Sequence, residues 1–163
     1  MSKDYRRQIK GLTNLSSKEL DEAAQGLFGS EYTQEHRNRI LFTAIALQNR
    51  SAAGQLLRSA LIILRGHPEA LERWCTLGKE IGLISIIASE EYFRCSPQVL
   101  EEIHEGELDS WASLGKRIAE GSGRAAVEYF RASHKLLKEL RLSDFLRWGE
   151  EGYRVLQGGR TSS

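Results

Sequence analysis

Residues 74–81 read WCTLGKEI, and 37 residues later residues 111–118 read WASLGKRI. In each copy the tryptophan, leucine, glycine and isoleucine are spaced i, i+3, i+4 and i+7, which places them along one face of a helix. Glycine costs roughly 1 kcal/mol in a helix interior, so its recurrence within an apolar stripe predicts the close approach of a neighbouring helix. We expect Gly78 and Gly115 to lie in backbone contact with that neighbour.

The similarity extends through a second helix in each copy. Residues 71–107 and 108–144 are identical at 15 of 37 aligned positions. Residues 91–94 and 128–131 both read EYFR. In each copy an alanine lies three residues before this segment and a serine two residues after it. Alanine, tyrosine and phenylalanine give this second helix its own apolar face. Because one pair of helices cannot bury both of its faces alone, stacking of successive pairs is predicted.

A third copy begins at residue 145 and places Trp148 and Gly152 at the same spacing. We therefore expect Trp74, Trp111 and Trp148 to be buried at equivalent positions. The spacing i, i+3, i+4, i+7 recurs almost throughout the chain, and no segment alternates between apolar and polar residues. The predicted fold class is all-α: a right-handed stack of antiparallel helical hairpins, an α-solenoid of the TPR or HEAT kind, with a repeat of roughly 37 residues.

The predicted organisation is a single domain over residues 1–157. It divides into an N-terminal cap with a degenerate repeat at 1–66, repeats at 71–107, 108–144 and 145–157, and a flexible tail at 158–163. Pro68 and Pro97 are each expected to begin a helix, because the first turn of a helix tolerates proline. The predicted helices cover residues 17–26, 33–48, 52–65, 68–83, 86–95, 97–104, 108–120, 124–140 and 144–156.

Two known families share parts of this pattern. The two Trp-x2-Leu-Gly-x2-Ile segments resemble the opening of the tetratricopeptide motif, although that motif has a period of about 34 residues and an aromatic residue in place of isoleucine. Residues 71–156 resemble more closely the helical repeats that precede the von Willebrand A domain in bacterial NorD-like proteins, as at 92–96 (YFRCS) and 129–133 (YFRAS). That resemblance implies an adaptor for a MoxR-type AAA+ ATPase that matures metalloenzymes. The chain lacks the Asp-x-Ser-x-Ser motif of that domain, so only the recognition half is implied.

The composition excludes several classes of protein. The 163 residues carry 23 Lys plus Arg against 22 Asp plus Glu, so the chain lacks the strong field of a dedicated DNA-binding or membrane-surface protein. Its apolar stretches are far shorter than the roughly 20 residues that span a bilayer. The polar start predicts no secretory signal, and the two isolated cysteines are expected to be reduced, as is typical of a cytoplasmic protein.

No set of residues predicts catalysis, a metal site or a cofactor. His67, Cys75, Cys95 and His104 lack the short spacings of zinc ligands. Ser133 with His134, and Ser143 with Asp144, are the residue types of a hydrolase triad, but there is no Gly-x-Ser-x-Gly elbow, and helix capping is the expected role. Residues 121–124 (GSGR) are compatible with an anion site or with a plain turn between helices, and the missing Walker sequence favours the turn.

One basic set is a candidate for partner binding, at spacings i, i+4, i+7 and i+10: Arg131, Lys135, Lys138 and Arg141. The shift of 37 residues places Glu101 on Lys138, so neighbouring copies carry opposite charges. These residues are either solvated side chains with weak pairs between repeats or a polar docking surface.

The leading hypothesis is a non-catalytic module that binds another protein, with self-association left open. The alternative is a nucleic-acid-binding repeat that uses the same basic residues with Arg6, Arg7 and Lys10. Residues that differ between copies are expected to face the partner, because packing occupies the shared ones. The largest differences are Glu101 to Lys138, Glu80 to Arg117, and Ile86-Ile87 to Gly123-Arg124.

Overall fold

A computed structural model describes residues 7, 10, 11, 13, 16, 18 and 34–161, with side chains described up to residue 155. Within 34–161 there are two short 3-10 helices, Pro68–Ala70 and Glu105–Glu107. The α-helices of this range are α1 (Gln34–Leu47), α2 (Arg50–Gly66), α3 (Leu71–Ile84), α4 (Ile86–Val99), α5 (Leu108–Gly121), α6 (Gly123–Leu137) and α7 (Leu142–Thr161). Apart from residue 18, which is helical, the predicted helix at 17–26 lies outside the described residues, as does most of the N-terminal cap.

The helices pack in two layers. Helices α1, α3, α5 and α7 contact one another in that order, and α2, α4 and α6 form the second layer. Each pair that is consecutive along the chain, α1 with α2, α3 with α4 and α5 with α6, also packs together across the layers. No strand occurs in the described part of the chain, so the prediction of an all-α fold is confirmed. None of the described helices is long and apolar enough to cross a bilayer.

Two contacts recur between the layers at positions 37 residues apart. The indole nitrogen Nε1 of Trp74 donates to Ser96 Oγ at 2.6 Å, and that of Trp111 donates to Ser133 Oγ at 2.9 Å. Tyr92 donates its hydroxyl hydrogen to the Trp74 carbonyl at 2.9 Å, and Tyr129 donates to the Trp111 carbonyl at 2.7 Å. A buried polar atom without a partner is costly, so these bonds fix how each pair of helices packs.

Phenylalanine explains the recurring glycines. A Cβ atom at Gly78 would lie 2.1 Å from Cζ of Phe93, and one at Gly115 would lie 2.1 Å from Cζ of Phe130. Both glycines lie within helices, as predicted, but the expected backbone contact was wrong. The neighbour that requires a glycine is the aromatic ring of the following helix, which fills the space that a side chain would occupy.

An unbroken series of ring contacts runs along the interior. Tyr92 stacks on Trp111 with centroids 5.6 Å apart, and Tyr129 stacks on Phe145 at 5.2 Å. Edge contacts connect Trp111 to Phe130 at 5.2 Å and Phe130 to Tyr129 at 5.3 Å. These rings are buried and dominate the apolar contact between successive helix pairs.

The expectation that Trp148 is buried was wrong. Trp74 and Trp111 are 0% exposed, whereas Trp148 is 48% exposed. Trp148 contacts Phe145 of its own helix at 5.5 Å between centroids. The reason is that α4 covers Trp74 and α6 covers Trp111, while none of the described side chains takes the corresponding place beside α7.

Pro97 does not begin a helix, and the predicted helix at 97–104 does not form. Helix α4 continues through Pro97 to Val99. A proline inside a helix leaves the carbonyl of residue i−4 without its usual donor. That carbonyl belongs to Phe93, and Ser59 of α2 donates its hydroxyl hydrogen to it at 2.5 Å. Pro68 begins the 3-10 helix Pro68–Ala70, as predicted for a first-turn position.

The last two helices also differ from the expected boundaries. Helix α6 ends at Leu137 rather than at residue 140, and α7 begins at Leu142 rather than at 144. Helix α7 continues to Thr161, so residues 158–161 are helical although a flexible tail was predicted there. Glycine lowers helix propensity but retains its N–H donor, so the two glycines at 158 and 159 do not by themselves end a helix.

Candidate interaction surface

All four residues of the predicted basic set are exposed, but they do not form one helical stripe. Arg131 and Lys135 lie on α6, and Lys138 and Arg141 lie in the connection between α6 and α7. The spacing i, i+4, i+7, i+10 describes one helix face only while the helix continues, and α6 ends at Leu137. The structure therefore divides the set into a helical half and a half on the connection.

Ion pairing separates Arg131 from the other three. Arg131 contacts Glu128 at 3.3 Å and Glu91 of α4 at 3.6 Å. Within the described range no ion pair is formed by Lys135, Lys138 or Arg141. None of the carboxylates in the part of the chain that the structure describes holds the ammonium or guanidinium groups of these three side chains.

The pair expected from the shift, Glu101 with Lys138, does not form an ion pair in the described part of the chain. His134 of α6 instead lies 3.7 Å from Glu102. The other charge reversal between the copies, Glu80 to Arg117, involves two residues that form ion pairs within the fold. Glu80 lies 3.7 Å from Lys116, and Arg117 pairs with Glu150 of α7.

A groove of about 500 Å³ crosses the second layer; we call it the charged groove. Its lining comes from three successive helices of that layer and consists of Gln55, Ile87, Glu90, Glu91, Arg94, Arg124, Val127, Glu128 and Arg131. Of the predicted basic set, only Arg131 lines it. Ile87 and Arg124 are equivalent positions at which the two copies differ. Both face this same groove.

Glu91 is the buried centre of the charged groove, with 6% of its surface exposed. Arg94 Nε donates to Glu91 Oε2 at 3.0 Å, and this bond raises the pKa of the Arg94 guanidinium further. Arg131 approaches the other carboxylate oxygen, Oε1, at 3.6 Å. A buried carboxylate between two guanidiniums is compensated, and it holds both cations at the mouth of the groove.

The Glu91 site was not predicted from the sequence. The signal was present, because both copies contain EYFR, which places glutamate and arginine three residues apart on one helix face. Glu128 and Arg131 repeat this pair at 3.3 Å but remain exposed. The difference in burial arises because α6 packs beside Glu91, and the described residues include no helix at the equivalent place beside Glu128.

A second groove, which we call the α7 groove, lies between α5, α6 and α7 and has a volume of about 510 Å³. Apart from two glutamates, its lining is apolar, aromatic or glycine: Ile118, Ala125, Glu128, Tyr129, Trp148, Gly149, Glu151, Gly152 and Val155. Val155 is 74% exposed and Trp148 nearly half exposed. An exposed apolar groove with a polar rim is typical of a docking site.

The candidate metal and catalytic residues have structural roles. Cys75 and Cys95 are free thiols in the core, and burial raises the pKa of Cys75 to about 12. His67 Nδ1 lies 3.0 Å from Glu105 Oε1. Ser133 was expected at a helix cap but lies inside α6, where its hydroxyl donates to the Tyr129 carbonyl at 2.6 Å. No cluster of three or more His, Cys, Asp or Glu that could hold a metal occurs among the described residues.

Residues 121–124 span the junction of α5 and α6, where Ser122 alone lies outside both helices. Ser122 is the N-cap of α6, and its side chain accepts a hydrogen bond from the Ala125 backbone N–H at 3.1 Å. Ser85 caps α4 in the same way through Ala88 at 3.3 Å. The glycine-rich segment is thus occupied by a local capping interaction.

Comparison with known proteins adds no relative. No protein-family model matches the chain, and the searches of curated proteins and of solved structures each found no match.

Proposed function

We propose that the chain is a non-catalytic helical-repeat module, a right-handed α-solenoid with a repeat of roughly 37 residues, that binds another protein. The support for the repeat is the pair of contact sets 37 residues apart: the indole bonds to Ser96 and Ser133, and the phenylalanine rings over Gly78 and Gly115. The shared residues that make these contacts are thereby occupied in packing, whereas the glutamate and arginine of each shared EYFR segment line the charged groove. The remaining exposed positions are free to recognise a partner.

The observation that carries the binding proposal is the charged groove, because it runs across α2, α4 and α6. A groove that spans several stacked helices offers one continuous surface to an extended segment. Its guanidiniums can donate paired hydrogen bonds to carboxylates of the partner, and its glutamates can accept from the backbone or from lysines. The basic residues Lys135, Lys138 and Arg141 form no ion pair with any described residue and extend the positive charge towards α7.

The resemblance to the NorD-like repeats gives this proposal a context. In it the module is a cytoplasmic adaptor that links an AAA+ ATPase of the MoxR type to the metalloenzyme that the ATPase matures. The surface charges are the recognition elements, and ATP hydrolysis belongs to the partner.

The test is quantitative affinity capture from the native cell, with mass spectrometry, using the parent and one triple variant. The variant carries Arg124→Glu, at an exposed position that lines the charged groove, together with Lys135→Glu and Lys138→Glu. Arg131 is left unchanged, because a carboxylate at that position would face the buried Glu91. We expect the same helicity and melting temperature, and weaker retention of the partner, most visibly at low salt.

A matched variant separates specific binding from an effect of net charge. It carries the same number of reversals at exposed positions elsewhere: Arg65→Glu, Lys79→Glu and Arg147→Glu. Retention of the partner should be unchanged in this control. Equal binding by parent and test variant would contradict a docking role for these residues. A different result would favour the nucleic-acid alternative. The parent would then bind a polyanion column with a steep dependence on salt, and only the test variant would lose that binding.

A further inference from the structure

Helix α7 carries the tryptophan and glycine that α3 and α5 present to the helix packed on them, and none of the described residues covers these two positions. Trp148 and Gly152 are four residues apart, as are Trp111 and Gly115. An added Cβ would meet the Phe130 ring at Gly115, but at Gly152 no atom of the described residues would lie within 4 Å of it. Trp148 is also nearly half exposed, whereas Trp111 is fully buried.

The two covered copies define the chemistry of what fits there. In both, a helix places a phenylalanine ring on the glycine. In both, a serine of that helix accepts the indole N–H, and a tyrosine donates to the carbonyl of the tryptophan. Residues of the same types thus contact the same helix face in both copies. These contacts specify which side chains would fit the equivalent face of α7.

Charge at the rim extends the match. Arg131 of α6 contacts Glu91 of α4 at 3.6 Å. Glu128 stands at the position equivalent to Glu91, lines the α7 groove and is exposed. An arginine directly after the phenylalanine of an added helix would reach Glu128 in the way that Arg131 reaches Glu91. The acidic rim and apolar floor together fit a helix that is apolar on one face and basic beside it.

We propose that the α7 groove is a docking site for a helix of another polypeptide that carries the motif Tyr-Phe-Arg-x-Ser. The phenylalanine lies on Gly152, the serine accepts the Trp148 indole N–H, and the arginine pairs with Glu128. The α7 groove contains no residue of the predicted basic set. This proposal therefore does not depend on whether a partner binds the basic set.

A folded second copy of this chain does not supply that helix. Its Tyr-Phe-Arg-x-Ser segments are those of α4 and α6, whose tyrosines and phenylalanines are at most 2% exposed. These side chains would have to leave their own core before they could dock elsewhere. The repeated contacts and the exposed carboxylate of Glu128 point instead to a helix of a different chain.

The probe is a synthetic peptide with the sequence of residues 122–137, acetylated and amidated, titrated into the full chain. This peptide contains no tryptophan, and Trp148 is the exposed one of the three tryptophans in the protein. A saturable blue shift of fluorescence, with a shift of one indole N–H resonance, is expected. A free peptide of this length is only marginally helical. A second peptide is therefore held as a helix by Arg124→Lys, with the new lysine joined to Glu128 through a lactam.

Matched variants locate the binding. Gly152→Leu in the protein, or Phe130→Ala in the peptide, should weaken binding by about tenfold or more, since each removes the central ring contact. Gly66→Leu is the control, because its side chain also meets open space but lies on α2. That variant should bind as the parent does.

Three results would overturn the proposal. One is the absence of a saturable shift with either peptide up to about 1 mM. Another is unchanged affinity in the Gly152→Leu protein. The third is a dimer of the chain alone whose formation gives the same blue shift of Trp148, because a second copy would then be the occupant.

Discussion

Replacing Gly115 with alanine should destabilise the protein even though alanine is the better helix former. The added Cβ would lie 2.1 Å from Cζ and 2.5 Å from Cε1 of Phe130. The ring cannot move aside easily, because Trp111 and Tyr129 contact it at 5.2 and 5.3 Å between centroids and it is fully buried. Overpacking of this kind costs about 3 kcal/mol at the upper end, and alanine recovers only about 1 kcal/mol through propensity.

The expected net loss is therefore about 2 kcal/mol in the free energy of unfolding. For a chain of this size that corresponds to a melting temperature lower by about 4–8 °C. Thermal and urea denaturation followed by circular dichroism measure both quantities. Gly152→Ala is the matched control, since the position is equivalent and none of the described atoms would lie within 4 Å of the added Cβ. Propensity alone should then raise the melting temperature by about 2–4 °C.

A double-mutant cycle isolates the cause. Phe130→Leu removes the ring atoms nearest to Gly115 and is destabilising alone because it leaves a cavity. In the Phe130→Leu background Gly115→Ala should cost much less than in the parent, giving a coupling energy of about 1–2 kcal/mol. Additive effects, or a Gly115→Ala protein as stable as the parent, would refute the explanation that the glycine recurs to accommodate the ring.

Two further predictions concern buried polar groups. Ser133→Ala removes the acceptor of the Trp111 indole N–H and should lower the free energy of unfolding by about 1–3 kcal/mol in urea denaturation, whereas a loss below measurement error would contradict this. Burial raises the pKa of the Cys75 thiol to about 12, above the value near 8.5 of an unfolded thiol. The folded state then holds a proton that the unfolded state releases, so stability should fall as the pH rises from about 8.5 towards 12. Cys75→Ala, which introduces the residue found at Ala112, should make that fall shallower, and an identical pH dependence in both proteins would contradict the assignment.

The packing between α3 and α4 was the most predictable feature of the structure. Trp74, Gly78 and Phe93 recur unchanged 37 residues later, so the sequence itself indicates which side chains share one environment. The sequence could not indicate which atoms meet. The glycine was expected to accommodate a backbone and accommodates a ring, because periodicity fixes the face of a helix but not the identity of its neighbour.

The error at Trp148 has the same origin. Trp148 and Gly152 repeat the spacing of Trp111 and Gly115, and burial was inferred from that match. Burial of a tryptophan depends on the helix that covers it, which is a different segment of the chain. The basic set was divided for a related reason, since the end of α6 at Leu137 is not marked by glycine or proline.

Pro97 shows how a distant residue can override a strong local rule. A proline at this position should end the helix before it, because the carbonyl four residues earlier loses its donor. That carbonyl, on Phe93, is buried, so leaving it unpaired would cost about 1–3 kcal/mol. Ser59 supplies the missing hydrogen bond from α2, 34 residues away in sequence. The same serine packs α2 against α4, so one hydroxyl group both allows the proline and joins two helices of the second layer. Ser59→Ala should therefore destabilise the protein in urea denaturation, and it should do so less when Pro97 is replaced by alanine, whose N–H can restore the bond within the helix. Equal losses in the two backgrounds would mean that the hydroxyl does not compensate for the proline.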